Sequence, residues 1–419
     1  MDVRLEGLRI DGRRLRASLE AMAAIGATPG GGVTRLALSD EDREARDLLV
    51  TWLRELDLAV AVDEMGSIWG RRPGRDDSLP PVLVGSHLDT QPQGGRFDGV
   101  LGVLGALEVL RTLADAGIET ERPVVLVDWT NEEGSRFSPA MVASGVWAGV
   151  LARDWAWARA DAAGARQGDE LARIGYRGDL PCRAAPFHAY FELHIEQGPR
   201  LEREGRTIGV PRGIVCLHWY DVTVRGEANQ VGPTPMAGRR DALVAAAEMV
   251  GAVRAAAERL GGDLVATVGE LRNAPNSRNV IPGETRFTVD IRSWDDDLAR
   301  RCWSALEAEF AAAAARHGCE LLTEATWRVG HNAFDPGLIE LVQATAVRLG
   351  HAPLPMVSGA GHDASYAAMT GPTAMVFVPS IGGRSHVEVE ATSWEDCAAG
   401  ADVLLGCVLE AAGPELHGS

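Results

Sequence analysis

The strongest constraint on this chain is a repeated pairing of a short apolar run with a cluster of imidazole and carboxylate residues. Pro81-Val82-Leu83-Val84-Gly85 leads into Ser86-His87-Leu88-Asp89-Thr90, and Pro123-Val124-Val125-Leu126-Val127-Asp128-Trp129 leads into Thr130-Asn131-Glu132-Glu133-Gly134. Tyr190-Phe191-Glu192-Leu193 delivers His194, then Glu196-Gln197-Gly198, and Thr373-Ala374-Met375-Val376-Phe377-Val378 precedes Ser385-His386-Val387-Glu388-Val389-Glu390. Runs of this length and polarity read as parallel strands buried on both faces. Open α/β sheets collect their ligands beyond the carboxyl ends of such strands, so the clusters share one address. A lone His at any of these places is more often a structural residue than a ligand. Strand ends carrying His, Asp and Glu together, four times over, are hard to explain by packing and point to a metal-assisted hydrolytic site.

The spacing inside each cluster suggests roles. His87 and Asp89 share one face of an extended chain, and a carboxylate beside a ligating imidazole fixes its tautomer. Asp98, in Gly94-Gly95-Arg96-Phe97-Asp98-Gly99, sits in a loop flexible enough to fold its carboxylate back to the same point and bridge two cations; the plain alternative is a solvated turn. Adjacent carboxylates on an extended chain point to opposite sides, so of Glu132 and Glu133 one can ligate metal while the other moves protons.

At 419 residues the chain exceeds one ordinary core, and two domains are expected. Strand-like and helical segments alternate to about residue 212, which predicts a mainly parallel sheet wrapped by helices; residues 151–189 form a less regular insertion whose Trp155 and Trp157, like nearby Trp147, are expected to pack. After that the pattern changes: strand-like 219–226, a helix at 241–260, strands at 263–270 and 285–292, a helix at 296–317 and a strand at 320–329. This βαββαβ order is ferredoxin-like and splits a catalytic domain (1–212 and 330–419) with an inserted one (213–329). The fold class is therefore α/β. A net charge of −18 disfavours nucleic acid or an anionic membrane surface as partner. No basic, apolar leader or membrane-length apolar run is evident, and the six cysteines include no Cys-x-x-Cys pair, so a cytoplasmic enzyme without disulfides or thiolate metal ligands is expected.

Several of these blocks resemble the two-metal amidohydrolases of the M20 peptidase superfamily, in the branch of N-carbamoyl-L-amino-acid hydrolases, β-ureidopropionase and allantoate amidohydrolase. The resemblance runs through Gly31-Gly32-Val33-Thr34-Arg35 and residues 85–105, 131–137, 194–202, 226–243, 276–292, 358–364 and 379–390. It implies one cation held by His87, Asp98 and His194, a second by Asp98, Glu133 and His386, and Glu132 as general base and then acid, with Asp89 orienting the site. The ions it implies are zinc first, or manganese, cobalt or nickel. It further implies a substrate carboxylate held by Arg292 and Asn279 with Asn276 beside them, contacts from Gln197 and His362, and an inserted domain that is both lid and homodimer interface. Arg292 could instead pair with Asp290, and His362 could instead cap the helix that begins near Asp363. One departure stands out: the family usually has His where this chain has Gln230, and glutamine can donate a hydrogen bond to an oxyanion but cannot carry a proton. The activity implied is hydrolysis of the ureido group of an N-carbamoyl amino acid (an L-amino acid or β-alanine) to amino acid, carbon dioxide and ammonia. Allantoate hydrolysis, dipeptide or N-acyl amino acid hydrolysis, and a non-catalytic binding protein of the same fold are the alternatives.

Overall fold

The computed structural model describes residues 7–415. The chain forms two compact units, one running up to Gly213 and resuming at Ala333, the other spanning Ile214–Asn332.

In the first unit, the apolar runs become four adjacent parallel strands, in the order Val124–Trp129, Val82–His87, Ala189–Ile195 and Thr373–Val378. Every residue of these strands is buried, as expected of a parallel sheet covered on both faces. Register sets His87 against Trp129 and His194 against Phe377, so the carboxyl ends finish level and the loops that follow converge. Antiparallel strands flank this centre: Ile68–Arg72 with Ala59–Val62 on one side, Gly209–Ile214 on the other. The helix Val100–Asp115 is apolar almost all round and buried along most of its length, which suits a helix pressed between the sheet and the helix Trp394–Ala412. The 151–189 insertion carries two short helices, Arg153–Trp157 and Gln167–Arg173. Trp147 packs beside Trp69, Trp129 and Phe187, and Trp157 lies under the Arg153 and Arg177 guanidiniums.

Beneath the convergent loops lies a buried ionic frame. Arg46 is fully buried; it bonds Asp42 (2.8 Å), the Gly66 carbonyl (2.8 Å) and Thr130 (3.2 Å), and lies 3.8 Å from Asp128. Arg35, also fully buried, donates to the carbonyls of Leu88, Met22 and Ile25. Its own backbone N–H and carbonyl clasp Thr90, so the segment before the first cluster grips both sides of Asp89.

The second unit is a sheet ordered Val265–Thr267, Glu284–Ser293, Cys216–Arg225, Glu320–Val329, with antiparallel neighbours throughout. Of the strand expected over 263–270 only Val265–Thr267 forms, and a separate strand, Leu271–Ala274, follows beyond it on the same partner strand. Between Thr267 and Leu271 the chain takes one residue more than the partner does between Asp290 and Phe287, so the regular pairing is interrupted there. The helices Ala242–Leu260 and Asp296–Arg316 start where Asp241 and Asp295 accept two backbone N–H bonds each. Their buried faces meet one face of the sheet, with Tyr220 stacked on Trp303 at 3.5 Å. Among the described residues no helix is long and apolar enough to cross a membrane.

Removing Arg46 would leave Asp42 and Asp128 buried without their cation. We expect Arg46→Met to lower unfolding free energy by about 3–5 kcal/mol in urea titration; an unchanged midpoint would show that the frame is dispensable.

Candidate active site

The carboxyl ends of the parallel strands, which carry His87 and His194, and the loops beyond them, which carry Asp98, Glu132, Glu133 and His386, bring these six residues together. Ligand-type atoms of His87, Asp98 and His194 lie within 4.8 Å of one another, as do those of Asp98, Glu133 and His386. Asp98 belongs to both groups. Its Oδ1 lies 3.1 Å from His194 Nε2 and 3.9 Å from His87 Nε2, and its Oδ2 lies 3.3 Å from His386 Nε2. Glu133 reaches His386 Nε2 at 3.4 Å, while Glu132 turns to the other side, 3.6 Å from His87 Nε2. The two carboxylates do diverge, although they stand in a turn past the strand end rather than on an extended chain.

Backbone bonds fix the tautomers. His87 Nδ1 is 2.9 Å from the Asp89 carbonyl and His194 Nδ1 is 2.9 Å from the Ile195 carbonyl, so each donates there and keeps an Nε2 lone pair for the centre. The sequence predicts that the Asp89 carboxylate orients His87. It lies 3.9 Å from His87 Nδ1 and instead accepts the backbone N–H groups of Glu132 (3.1 Å) and Glu133 (3.2 Å). The strand ends at His87, and past it the Asp89 carbonyl, not the carboxylate, meets the ring nitrogen. Asp89 orients the imidazole through its main chain and the acidic pair through its side chain.

Dense burial of acids sets the electrostatics. Burial lowers His87 to about 4, leaving a neutral base. Burial also pushes Glu133 up to about 8 with help from Asp98 and Asp89, against the pull of His386, and raises Glu132 well above the carboxylate range, with Asp363 and Glu133 adding to it. Asp98 is held well below that range because His194 and His386 outweigh its burial. Without metal, Asp98 and its acidic neighbours raise His194 to about 9 and His386 to about 10 despite their burial; three imidazoles and crowded carboxylates around one shared acid are a donor set that fits a pair of divalent cations, whose charge would reverse the penalty of burying the acids.

Further neighbours shape this centre. Glu390 accepts the N–H groups of Phe97 (3.1 Å) and Asp98 (3.0 Å) and the Ser385 hydroxyl (2.8 Å), and Ser385 also donates to Asp98 (3.1 Å). A Cβ on Gly95 would stand 1.9 Å from Glu390, and one on Gly99, at φ +66°, would stand 2.3 Å from the His87 ring; the glycines of this loop admit close approach. Gln91 donates to Glu133 at 2.8 Å. Gln197 donates to Asp98 at 2.8 Å. His362 is buried with its ring edge-on to His194 at 4.4 Å and its Nε2 3.0 Å from Ser358. It does not cap the helix Ala364–Ala368, where the cap residue is Asp363, whose side chain makes no capping bond and accepts the Ser144 hydroxyl instead.

Gln230, Asn276, Asn279 and Arg292 lie in the second unit. Gln230 pairs with Val280 in a two-stranded ribbon, and the Val231 N–H bonds the Asn279 carbonyl. The Gln230 Oε1 accepts from the Gly232 N–H, which leaves the amide NH2 as its donating end. Asn276 is exposed, with φ +54°. Arg292 is gripped by Asp290 through Nε and Nη2, the latter at 2.7 Å, so the pairing foreseen as its alternative is present.

The chain matches Peptidase family M20/M25/M40 over residues 83–410. It is 47% identical over 407 residues to N-carbamoyl-L-amino-acid amidohydrolase of Rhizobium meliloti, covering 97% of this chain and 98% of that one. It is 32% identical over 384 residues to allantoate amidohydrolase of Bacillus subtilis, covering 90% and 92%. A crystal structure of an amidase of the hydantoinase/carbamoylase family from Burkholderia vietnamiensis superposes with a TM-score of 0.95 at 50% identity, covering 98% and 99%. The chain therefore belongs to peptidase family M20/M25/M40, in its hydantoinase/carbamoylase branch of hydrolases acting on amide C–N bonds.

Proposed function

We propose that this enzyme hydrolyses the carbamoyl group of N-carbamoyl amino acids, releasing amino acid, carbon dioxide and ammonia. The observation that carries the reading is Asp98, common to two three-residue donor groups with Glu132 beside them. His87, Asp98 and His194 would hold one divalent cation, and Asp98, Glu133 and His386 the other, zinc being the first choice for imidazole and carboxylate donors. Bound there, the cations supply Lewis acidity, acidifying water in the site and polarising the scissile carbonyl.

The rest falls to side chains. Glu132, a buried carboxylate turned away from His386, takes the proton of the attacking water and returns it to the departing nitrogen. Gln197 and His362 border the centre and would contact the substrate. In the second unit Arg292 and Asn279, with Asn276, would hold the substrate carboxylate, the guanidinium sharing itself with Asp290. Gln230 would donate its NH2 to the developing oxyanion. This unit, with its ferredoxin-like strand order, would serve as lid and homodimer surface of a cytoplasmic enzyme.

Three outcomes test this reading. Asp98→Ala should lose both ions and activity together, whereas Glu132→Gln should keep the ions and lower kcat by about 10²–10⁴; metal analysis beside the rate decides, and a Glu132→Gln enzyme of normal rate removes that residue from proton transfer. Gln230→Ala should lower kcat by about tenfold to a thousandfold, and an unchanged kcat removes its amide from the mechanism. Ammonia release should be fastest from an N-carbamoyl-L-amino acid or N-carbamoyl-β-alanine; faster release from allantoate would shift the substrate assignment, and none from any of the three by metal-loaded protein would refute the activity.

A further inference from the structure

A second set of metal-type donors lies within the Ile214–Asn332 unit. Cys216 and His218 stand two apart on the strand Cys216–Arg225 and so share a face; both are buried, His218 at 4% exposure. Asp296 opens the helix Asp296–Arg316 against them. The Cys216 Sγ, a His218 ring nitrogen and an Asp296 carboxylate oxygen all lie within 4.8 Å of one another.

Two polar atoms are stranded here. His218 Nδ1 and Asp296 Oδ1 are shut away from solvent with no hydrogen-bond partner, a condition that buried polar atoms rarely tolerate. The other Asp296 oxygen is held by His331, whose Nδ1 lies 2.9 Å away, the way an outer imidazole steadies a ligating carboxylate. Burial, with the charge of Asp296 adding to it, pushes the Cys216 thiol up to about 12, a state that a cation reverses because a coordinating thiol is deprotonated outright. The Arg328 and Arg300 guanidiniums near His218 oppose a cation, but a thiolate and a carboxylate in contact with the ion supply two negative charges at shorter range.

We infer that, against the expectation drawn from the cysteine spacing, Cys216, His218 and Asp296 bind a third divalent cation, of the thiophilic kind represented by zinc. Sulfur, imidazole and carboxylate donors together select zinc or cobalt over magnesium or calcium. Cys216 lies where the chain enters this unit and His331 where it leaves, so an ion held by Asp296 between them ties the entering strand, the first turn of the helix and the exit together.

Cobalt(II) reads this site directly, because none of the donors around Asp98 is a thiol. Full-length protein loaded with cobalt and desalted should show thiolate-to-cobalt charge-transfer absorption in the near ultraviolet and one metal equivalent more than Cys216→Ser. Asp98→Ala should keep the band while losing the other ions. Absence of the band from the loaded wild-type protein overturns the inference, whether or not the variants fold, and so does a band that survives in Cys216→Ser.

Discussion

One buried carboxylate organises this molecule. Asp98 faces three imidazoles with two oxygens, and everything within reach either contributes a donor to it or fixes the loop that carries it. Glu390 and Ser385 pin that loop from the far end of the sequence, while the parallel strands deliver His87 and His194 from below. Packing so many acids into one buried place is unfavourable by itself, and Glu132 and Glu133 feel this as raised proton affinity. A cation pair would relieve that cost.

The frame underneath follows the same logic with protein cations in place of metal. Arg35 and Arg46 are wholly buried; Arg35 binds carbonyls and the backbone beside Asp89, and Arg46 joins Asp42 and Asp128 to Thr130, at the foot of the Glu132-Glu133 turn. Asp89 then spans the two, accepting the N–H groups of that turn while its carbonyl aims His87. Rigid backbone, rather than one ion pair, holds the donor atoms at their spacing.

Much of this was legible in the residues. Strand ends are readable because two-sided burial demands unbroken apolar runs, and His87, Glu132, Glu133, His194 and His386 stand directly after such runs or just beyond. Less legible was anything that depends on where a chain turns after its strand. Strand alternation sets the Asp89 carboxylate against His87, where the main-chain carbonyl stands instead, and periodicity carries a strand over 263–270 that ends at Thr267, because one extra residue before Leu271 leaves no clear periodic trace. Glu390 looked like one member of an alternating Val-Glu stretch, and nothing local links it to Phe97 and Asp98.

The sequence by itself determined the α/β class, the parallel centre and the residues that meet beyond it, since hydrophobic periodicity and the order of polar clusters are local properties. Only the tertiary structure decided that Asp98 is shared, that Asp89 works through its backbone toward His87, that Asp290 holds Arg292, and that Cys216, His218 and Asp296 meet. Except for the Asp290–Arg292 pair, two residues apart on one strand, these contacts join segments far apart in the chain or residues just past a strand end, and they are set by register and loop closure, which no short stretch of residues encodes.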